Sequence, residues 1–271
     1  MITQTEKANA FKWLHERAGA FVIPNPWDLG SARLLSGLGF EALATTSGGF
    51  AHSLGRIDGE VTLDETIEHC RLLCASTDLP VNADLENCFA DAPEKAAATI
   101  LQAAQAGVVG CSIEDYTKNP ANPIYEFDLA VERVHAAAEA ARSLDFPFVL
   151  TARAENLLHG RDDLDDTIRR LQEFEAAGAD VLYAPGLKTI EEVLLVTGAV
   201  NKPLNVLAPL IKGATITQLA EAGAKRISIG GSLARAAISA LIRAGLEMKN
   251  QGSFEWAKNS VLSSELQKLL R

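Results

Sequence analysis

The sequence predicts an α/β chain folded as a (β/α)8 TIM-type barrel with one additional C-terminal helix. Three observations predict it. Eight short, mostly apolar runs recur along 271 residues, as strands of a parallel sheet covered on both faces should. Amphipathic helical stretches separate them, and eight strand–helix units in about this length read as a closed barrel. The open doubly wound sheet usually shows a Gly-rich phosphate loop after its first strand, and here that position reads NPWDLGSA, with no GxGxxG or GxxxxGK[ST].

The elements follow in order. MITQTEKANAFKWLHERAG is an amphipathic helix with charges throughout, lacking the apolar core and cleavage site of a signal peptide. The strand runs are AFVIPN (20–25), EALATTS (41–47), PVNADLE (80–86), GVVGCSIED (107–115), PFVLTARAE (147–155), ADVLYAP (179–185), PLNVLA (203–208) and RISIGG (226–231). Thr62, with Glu65 three residues on, makes a capping box before LDETIEHCRLLCAS, and Asp91 marks a helix start before APEKAA. Gly107, Gly178 and Gly223 stand where a helix-terminating glycine is expected, just before the next strand. No low-complexity linker divides the chain, so residues 1–271 read as one barrel domain. The long 232–252 helix and the apolar FEWAKNSVLSSELQKLL segment exceed what one barrel needs to cover itself, so helices in about 232–271 are expected to pack on another subunit.

Hydrophobic residues make up 48% of the chain, enough for a large core, and a net charge of −10 argues against nucleic acid as the main partner. Cys70, Cys74, Cys88 and Cys111 form no CxxC pair and lack nearby histidines at zinc-site spacing, so they read as reduced thiols. No apolar run approaches the roughly 20 residues of a membrane span. The expectation is a cytoplasmic protein with no membrane partner.

In such barrels the chemistry lies at the C-terminal ends of the strands. The second run ends in Ser47-Gly48-Gly49, followed by His52, Arg56 and Asp58; the third in Asp84 and Glu86; the fourth in Glu114 and Asp115; the fifth in Arg153 and Glu155. Carboxylates crowded this way resist ionising unless a cation neutralises them. Asp84, Glu86 and Glu114 form a hard oxygen set that suits Mg2+ (or Mn2+), which takes one or two carboxylates plus waters and substrate oxygens. Asp84 and Glu86 are two apart on a strand, so both are expected to face the same way. The plainer reading of such a pair is two solvated loop acids; Glu114 on the neighbouring strand favours a metal. Ser47-Gly48-Gly49 is either a turn or an anion nest whose N–H groups receive a carboxylate. Arg153 either pairs with Glu155 or another barrel acid, or holds a substrate carboxylate. His52, His69, His135 and His159 have no nucleophile partner and receive no role; Trp13, Trp27 and Trp256 are packing residues.

Taken together, these strand ends resemble the isocitrate lyase/phosphoenolpyruvate mutase superfamily. The likeness runs from N-x-W-D-x-x-S-A (Asn25, Trp27, Asp28, Ser31, Ala32) through TSGG at 46–49, SLGxxD at 53–58, the acidic pair, SIED at 112–115 and TARAE at 151–155 to Ser228 and Gly230. The resemblance implies a Mg2+-dependent enzyme that acts on a small anionic 2-oxo acid, or its enol phosphate, through an enolate. It implies that Asp84 ligates the metal directly or through water and that Glu86 and Glu114 hold its waters. Ser47, Gly48 and Arg153 would grip the substrate carboxylate, with Asp58 close to the reacting group. It also implies a homodimer or homotetramer with exchanged C-terminal helices.

Three departures shape the reading. The Lys-x-Cys-Gly-His loop of the superfamily's hydroxy-tricarboxylate lyases is replaced by Tyr116-Thr117-Lys118-Asn119-Pro120-Ala121-Asn122-Pro123. The usual Asp-x-Asp-x-Gly-Tyr-Gly becomes Asp84-Leu85-Glu86-Asn87-Cys88-Phe89-Ala90, with Cys88 a small buried filler rather than a reactive thiol. Ala184-Pro185-Gly186 stands where many lyases carry a glutamate. The leading function is cleavage of a C–C bond next to the carbonyl, by decarboxylation or retro-aldol chemistry. The alternative is phosphonate P–C chemistry, with Lys118, Asn119 and Asn122 as a gating loop and Lys118 among the catalytic candidates. A Schiff-base aldolase ranks low because the eight runs contain no Lys. A metabolite-binding protein with decayed catalysis is the non-enzyme reading.

Overall fold

The computed structural model describes residues 2–270. Helix α1 (Gln4–Glu16) precedes β1 (Phe21–Ile23), α2 (Leu29–Gly37), β2 (Leu43–Ala44), α3 (Ser47–Ser53), α4 (Leu63–Ser76), β3 (Val81–Asp84) and α5 (Pro93–Gln105). Then come β4 (Gly110–Glu114), α6 (Phe127–Arg142), β5 (Val149–Arg153), α7 (Leu164–Ala176), β6 (Val181–Tyr183) and α8 (Ile190–Ala199). The chain continues through β7 (Leu204–Leu207), α9 (Ile216–Glu221), β8 (Ala224–Ser228), α10 (Ser232–Gln251) and α11 (Ser263–Leu269).

All eight strands are parallel and pair in the order β1-β8-β7-β6-β5-β4-β3-β2. Between the two terminal strands of that order, the Ala44 N–H donates to the Pro24 carbonyl at 3.0 Å, and the barrel closes there. The (β/α)8 class expected from the eight runs is the class observed, with α11 as a helix beyond the repeat.

Local chemistry explains most boundaries. Thr62 and Glu65 cap α4 reciprocally as expected. The N-x-W-D-x-x-S-A segment has a cap at its centre: Asp28 accepts from the Ser31 N–H at 2.7 Å, and the Ser31 hydroxyl accepts from the Asp28 N–H at 3.1 Å. Gly107, Gly178 and Gly223 take φ of +103°, +110° and +90°, the left-handed conformation that ends a helix. The expected cap at Asp91 is not formed. Ala92 is the N-cap of α5 without a side-chain bond, Pro93 follows, and the Asp91 carboxylate instead accepts from the Tyr125 hydroxyl.

Two strand expectations also change. The second run ends early, because Thr46 caps a short helix and Ser47-Gly48-Gly49 forms its first turn instead of an extended nest. The eighth strand starts two residues sooner, at Ala224, and therefore contains Lys225. Its ammonium reaches the carbonyls of Arg17 and Gly19 (2.6 Å to Gly19), in the α1–β1 connection that precedes β1. The Schiff-base reading falls because Lys225 points away from the mouth, not because the strand lacks a lysine.

The apolar core lies in two places. One cluster joins the helices to the outer wall of the barrel. A second fills the N-terminal end, where Ala8, Phe11 and Leu14 of α1 pack with Phe21, Ala42, Val109, Val149 and Val181. The i, i+3, i+6 spacing of those α1 residues puts them on one stripe, so the helix closes that end. The C-terminal mouth is left for polar groups. On the flank, α10 buries only Ala234 and exposes Leu241, Ile242 and Leu246 by 72%, 54% and 52%. Among the described residues no helix is long and apolar enough to cross a membrane.

Candidate active site

A cavity of about 370 Å³ opens at the C-terminal ends of the strands. Ser47, Gly48, Asp58, Asp84 and Arg153 line it, which brings together five residues singled out from sequence. His52, given no role from sequence, lines it too.

Asp84 is the hub. It is the last residue of β3 and half-buried. One carboxylate oxygen accepts from the Ser47 N–H at 3.1 Å. The other meets Arg153 Nη1 at 3.2 Å and the Ser112 hydroxyl at 3.4 Å. The Asp84 N–H donates to Thr45 Oγ1 at 2.7 Å, so the β2 end and the β3 end are locked together.

Gly48 is small for a reason. A Cβ there would stand 2.9 Å from Asp58 Oδ2, so the glycine lets this carboxylate lie against the start of α3. Gly49 differs: its N–H donates to Thr46 Oγ1 at 3.3 Å, and a Cβ would meet Thr46 and Trp27 at 2.6 and 3.0 Å. Gly49 does not line the cavity and serves helix capping and close packing, so its expected place in an anion nest is not formed.

Arg153 pairs with three acids rather than standing free. Its Nη1 lies 2.7 Å from Glu114, and its Nε donates to Glu155 at 2.7 Å, besides the Asp84 contact. Three buried or half-buried carboxylates around one guanidinium leave an excess of negative charge. Burial pushes the Glu114 carboxyl well above the usual range, opposed by Arg153. Burial also pushes Glu86 up, opposed by Lys118, whose ammonium sits 2.6 Å from its carboxylate.

The expectation that Asp84 and Glu86 face one way by strand alternation does not hold as stated. The strand ends at Asp84, and Glu86 has φ of +51°. Glu86 turns to Lys118, Glu114 turns to Arg153, and among the described residues no three such side chains form a ready-made metal cluster. The donor set nonetheless suits a hard dication. Asp84 offers a carboxylate on the cavity wall, and two further carboxylates nearby are held up by burial in want of positive charge.

Lys118 (φ +63°) sits on a short hairpin closed by the Tyr116–Ile124 bridge, and its ammonium also lies 4.6 Å from the centre of the Phe89 ring. Asn119 caps the turn of that hairpin, accepting from the Ala121 N–H at 3.0 Å. Cys88 is fully buried with its thiol pushed up to about 12, which fits the filler role.

Sequence reading missed most of the cavity's lower wall. Tyr183, Asn205 and Arg226 line it, on β6, β7 and β8, beside Ser228 of the S-x-G segment. The signal was present: Asn205 on β7, and Arg226 and Ser228 two apart on β8, put polar groups on inward positions of short strands.

The chain belongs to the phosphoenolpyruvate phosphomutase family, whose profile matches residues 11–249, and so to the phosphoenolpyruvate mutase/isocitrate lyase superfamily. It is 53% identical to a protein of Burkholderia cenocepacia J2315 provisionally assigned as a lyase/mutase. That crystal structure covers 98% of this chain and 95% of its own, with a TM-score of 0.95. A second structure from the same organism, provisionally assigned as a phosphonomutase, is 32% identical over 92% of this chain and 100% of its own, with a TM-score of 0.83. Oxaloacetate decarboxylase of Paraburkholderia xenovorans is 29% identical over 213 residues, 75% of this chain and 69% of that protein. The relatives support an enzyme of the lyase/mutase kind.

Proposed function

We propose that this protein is a Mg2+-dependent (or Mn2+-dependent) lyase that cleaves the C–C bond next to the carbonyl of a small 2-oxo acid through an enolate. The observation that carries the reading is the Asp84 hub: a cavity-wall carboxylate held by Ser47 and Arg153 and surrounded by acids in want of positive charge. Asp84 would hold the metal, with Glu86 and Glu114 acting on its waters. When bound, the ion supplies a positive charge beside the oxygen on which enolate charge develops.

The chain's own residues do the rest. Arg153, the Ser47 hydroxyl and the Gly48 N–H bind the substrate carboxylate and fix its orientation. Glu114 and Glu155 hold the Arg153 guanidinium in place. Asp58, whose Oδ2 lies against Gly48 at the mouth, would hold the proton that the enolate carbon takes up. Lys118, tied to Glu86, closes the side of the site toward the hairpin and limits water entry. The likeness to oxaloacetate decarboxylase favours C–C cleavage. Phosphonate P–C chemistry is the second reading, favoured by the Lys118 hairpin and the 32% identical structure assigned as a phosphonomutase.

Calorimetric titration of Mg2+ and oxalate, a mimic of the pyruvate enolate, tests the site in wild type and Asp84→Ala. Metal-dependent oxalate binding in the wild type alone is expected; equal binding by both proteins removes the site. Turnover on a panel of 2-oxo acids and phosphonates, abolished by a chelator, separates the two chemistries from each other and from a binding protein without catalysis.

The reading extends to assembly and place. The protein acts in the cytoplasm as one barrel domain per chain, and the exposed Leu241, Ile242 and Leu246 of α10 pack on a second copy. A homodimer or homotetramer with exchanged C-terminal helices is expected in sedimentation at micromolar concentration. A monomer there refutes it.

A further inference from the structure

The loop that follows β3 is left-handed at three positions, none of them glycine. Glu86, Cys88 and Phe89 hold φ of +51°, +58° and +55°. Glycine adopts that conformation freely, and residues with a Cβ resist it. Cys88 stands where the superfamily's usual Asp-x-Asp-x-Gly-Tyr-Gly has its first glycine. A backbone strained in this way persists only where its surroundings over-determine it.

The determining group is Arg133 of α6, a guanidinium buried to 1% exposure. Its Nη2 donates to the Asn87 carbonyl at 2.6 Å, and its Nη1 to the carbonyls of Ala90 and Asp91, 2.7 Å to the latter. The guanidinium lies 4.2 Å from the centre of the Tyr125 ring, whose hydroxyl accepts from Asn87 Nδ2 at 3.1 Å and donates to Asp91. From α5, the Thr99 hydroxyl donates to the Cys88 carbonyl at 2.9 Å. Peptide units are planar, so fixing the carbonyls of Asn87 and Cys88 fixes the planes on either side of Cys88 and with them its φ. Arginine suits the task because its donors form a rigid fork that reaches several carbonyls at once. We propose that Arg133 is a positioning residue for the metal site: it clamps the 87–91 backbone so that Glu86, just before it, stays beside Asp84 and against Lys118. This rests on the reading of Asp84, Glu86 and Glu114 as the Mg2+ site. Arg133 does not line the cavity, so it acts only through the loop.

Calorimetric titration of Mg2+ into the full-length protein tests this, with urea unfolding measured in parallel. Arg133→Lys keeps the charge and loses the fork, and is expected to weaken Mg2+ about tenfold. Replacements of Cys88 then separate backbone conformation from packing, because Cys88→Gly and Cys88→Ala both remove the thiol and only glycine relaxes the positive φ. In the Arg133→Lys background Cys88→Gly should recover about threefold of the lost affinity and Cys88→Ala none. In the otherwise wild-type chain, where Arg133 already holds the loop, both should bind Mg2+ within about threefold of wild type. Thr99→Val removes only the bond to the Cys88 carbonyl; it should weaken Mg2+ about threefold, again with recovery by glycine alone, and it decides the matter if Arg133→Lys does not fold. Unchanged Mg2+ affinity in Arg133→Lys with a lowered urea midpoint makes Arg133 a packing residue and overturns the proposal. Equal recovery by glycine and alanine, or none by either, overturns it too. Failure of the wild type to bind Mg2+ removes the metal reading itself, and is distinct from normal wild-type binding that the variants leave unmoved.

Discussion

The two ends of the barrel are built from the same eight strands and obey opposite rules. At the N-terminal end Phe11, Phe21 and Leu14 are buried against valines, and the Phe11 ring meets His15 edge-on at 4.7 Å between centroids. At the C-terminal end Asp84, Glu114 and Glu155 share one arginine. Backbone strain is divided the same way. The non-glycine residues at positive φ among those described are Glu86, Cys88, Phe89 and Lys118, and all follow β3 or β4 at the mouth. Side chains in that conformation cost of order 1–3 kcal/mol each and persist where the surroundings over-determine them. The difference teaches that one end supplies the stability that lets the other keep crowded charge and strain.

The comparison breaks most visibly at Asp84. Asp84→Ala should cut turnover on the order of 10³-fold, about 4 kcal/mol, while urea unfolding stays near wild type, since removing one of several crowded acids relieves repulsion. A large loss of stability there would mean that the mouth also holds the barrel together. Phe11→Ala is the converse: a destabilisation of about 3–4 kcal/mol by urea denaturation, with turnover per folded molecule unchanged. If its turnover falls in step with Asp84→Ala, the two ends are not separable.

Finer tests sharpen the division. Glu86→Gln keeps the shape but removes the charge that faces Lys118, and is expected to weaken Mg2+ about 10–100-fold in calorimetry without abolishing turnover. An effect as large as that of Asp84→Ala would make Glu86 a direct ligand. The smallest expected effect is in pH. Burial brings His15 down to about 3, so it is neutral in the fold while the unfolded chain begins to take up a proton near 6.5. The unfolded state then binds more protons, and stability present above 6.5 is lost as pH falls toward 3. Between pH 6.5 and 5.5 the loss is about 1 kcal/mol, and His15→Phe should flatten the unfolding profile in that window. An unchanged slope in the variant would show that the floor is wet.

The sequence by itself determined the class of fold, the Thr62–Glu65 cap, the helix-ending glycines and which strand ends bear acids. These follow from local rules: apolar period, reciprocal caps such as Thr62–Glu65, and glycines at positive φ need only a few neighbouring residues. The family likeness was legible for the same reason, because TSGG, SIED and TARAE are contiguous segments. Only the tertiary structure decided what each charge faces. Asp84 and Glu86, two apart in the chain, turn to Arg153 and Lys118 respectively, because strand alternation stops at Asp84. Gly48 and Gly49 look alike in sequence, yet Asp58 lies against one and Thr46 against the other. Arg226 reads as one polar residue in a strand, and its lack of an acid partner depends on β5, β6 and β7 folding around it. Pairing energies depend on distance and burial across the barrel, which no local pattern encodes.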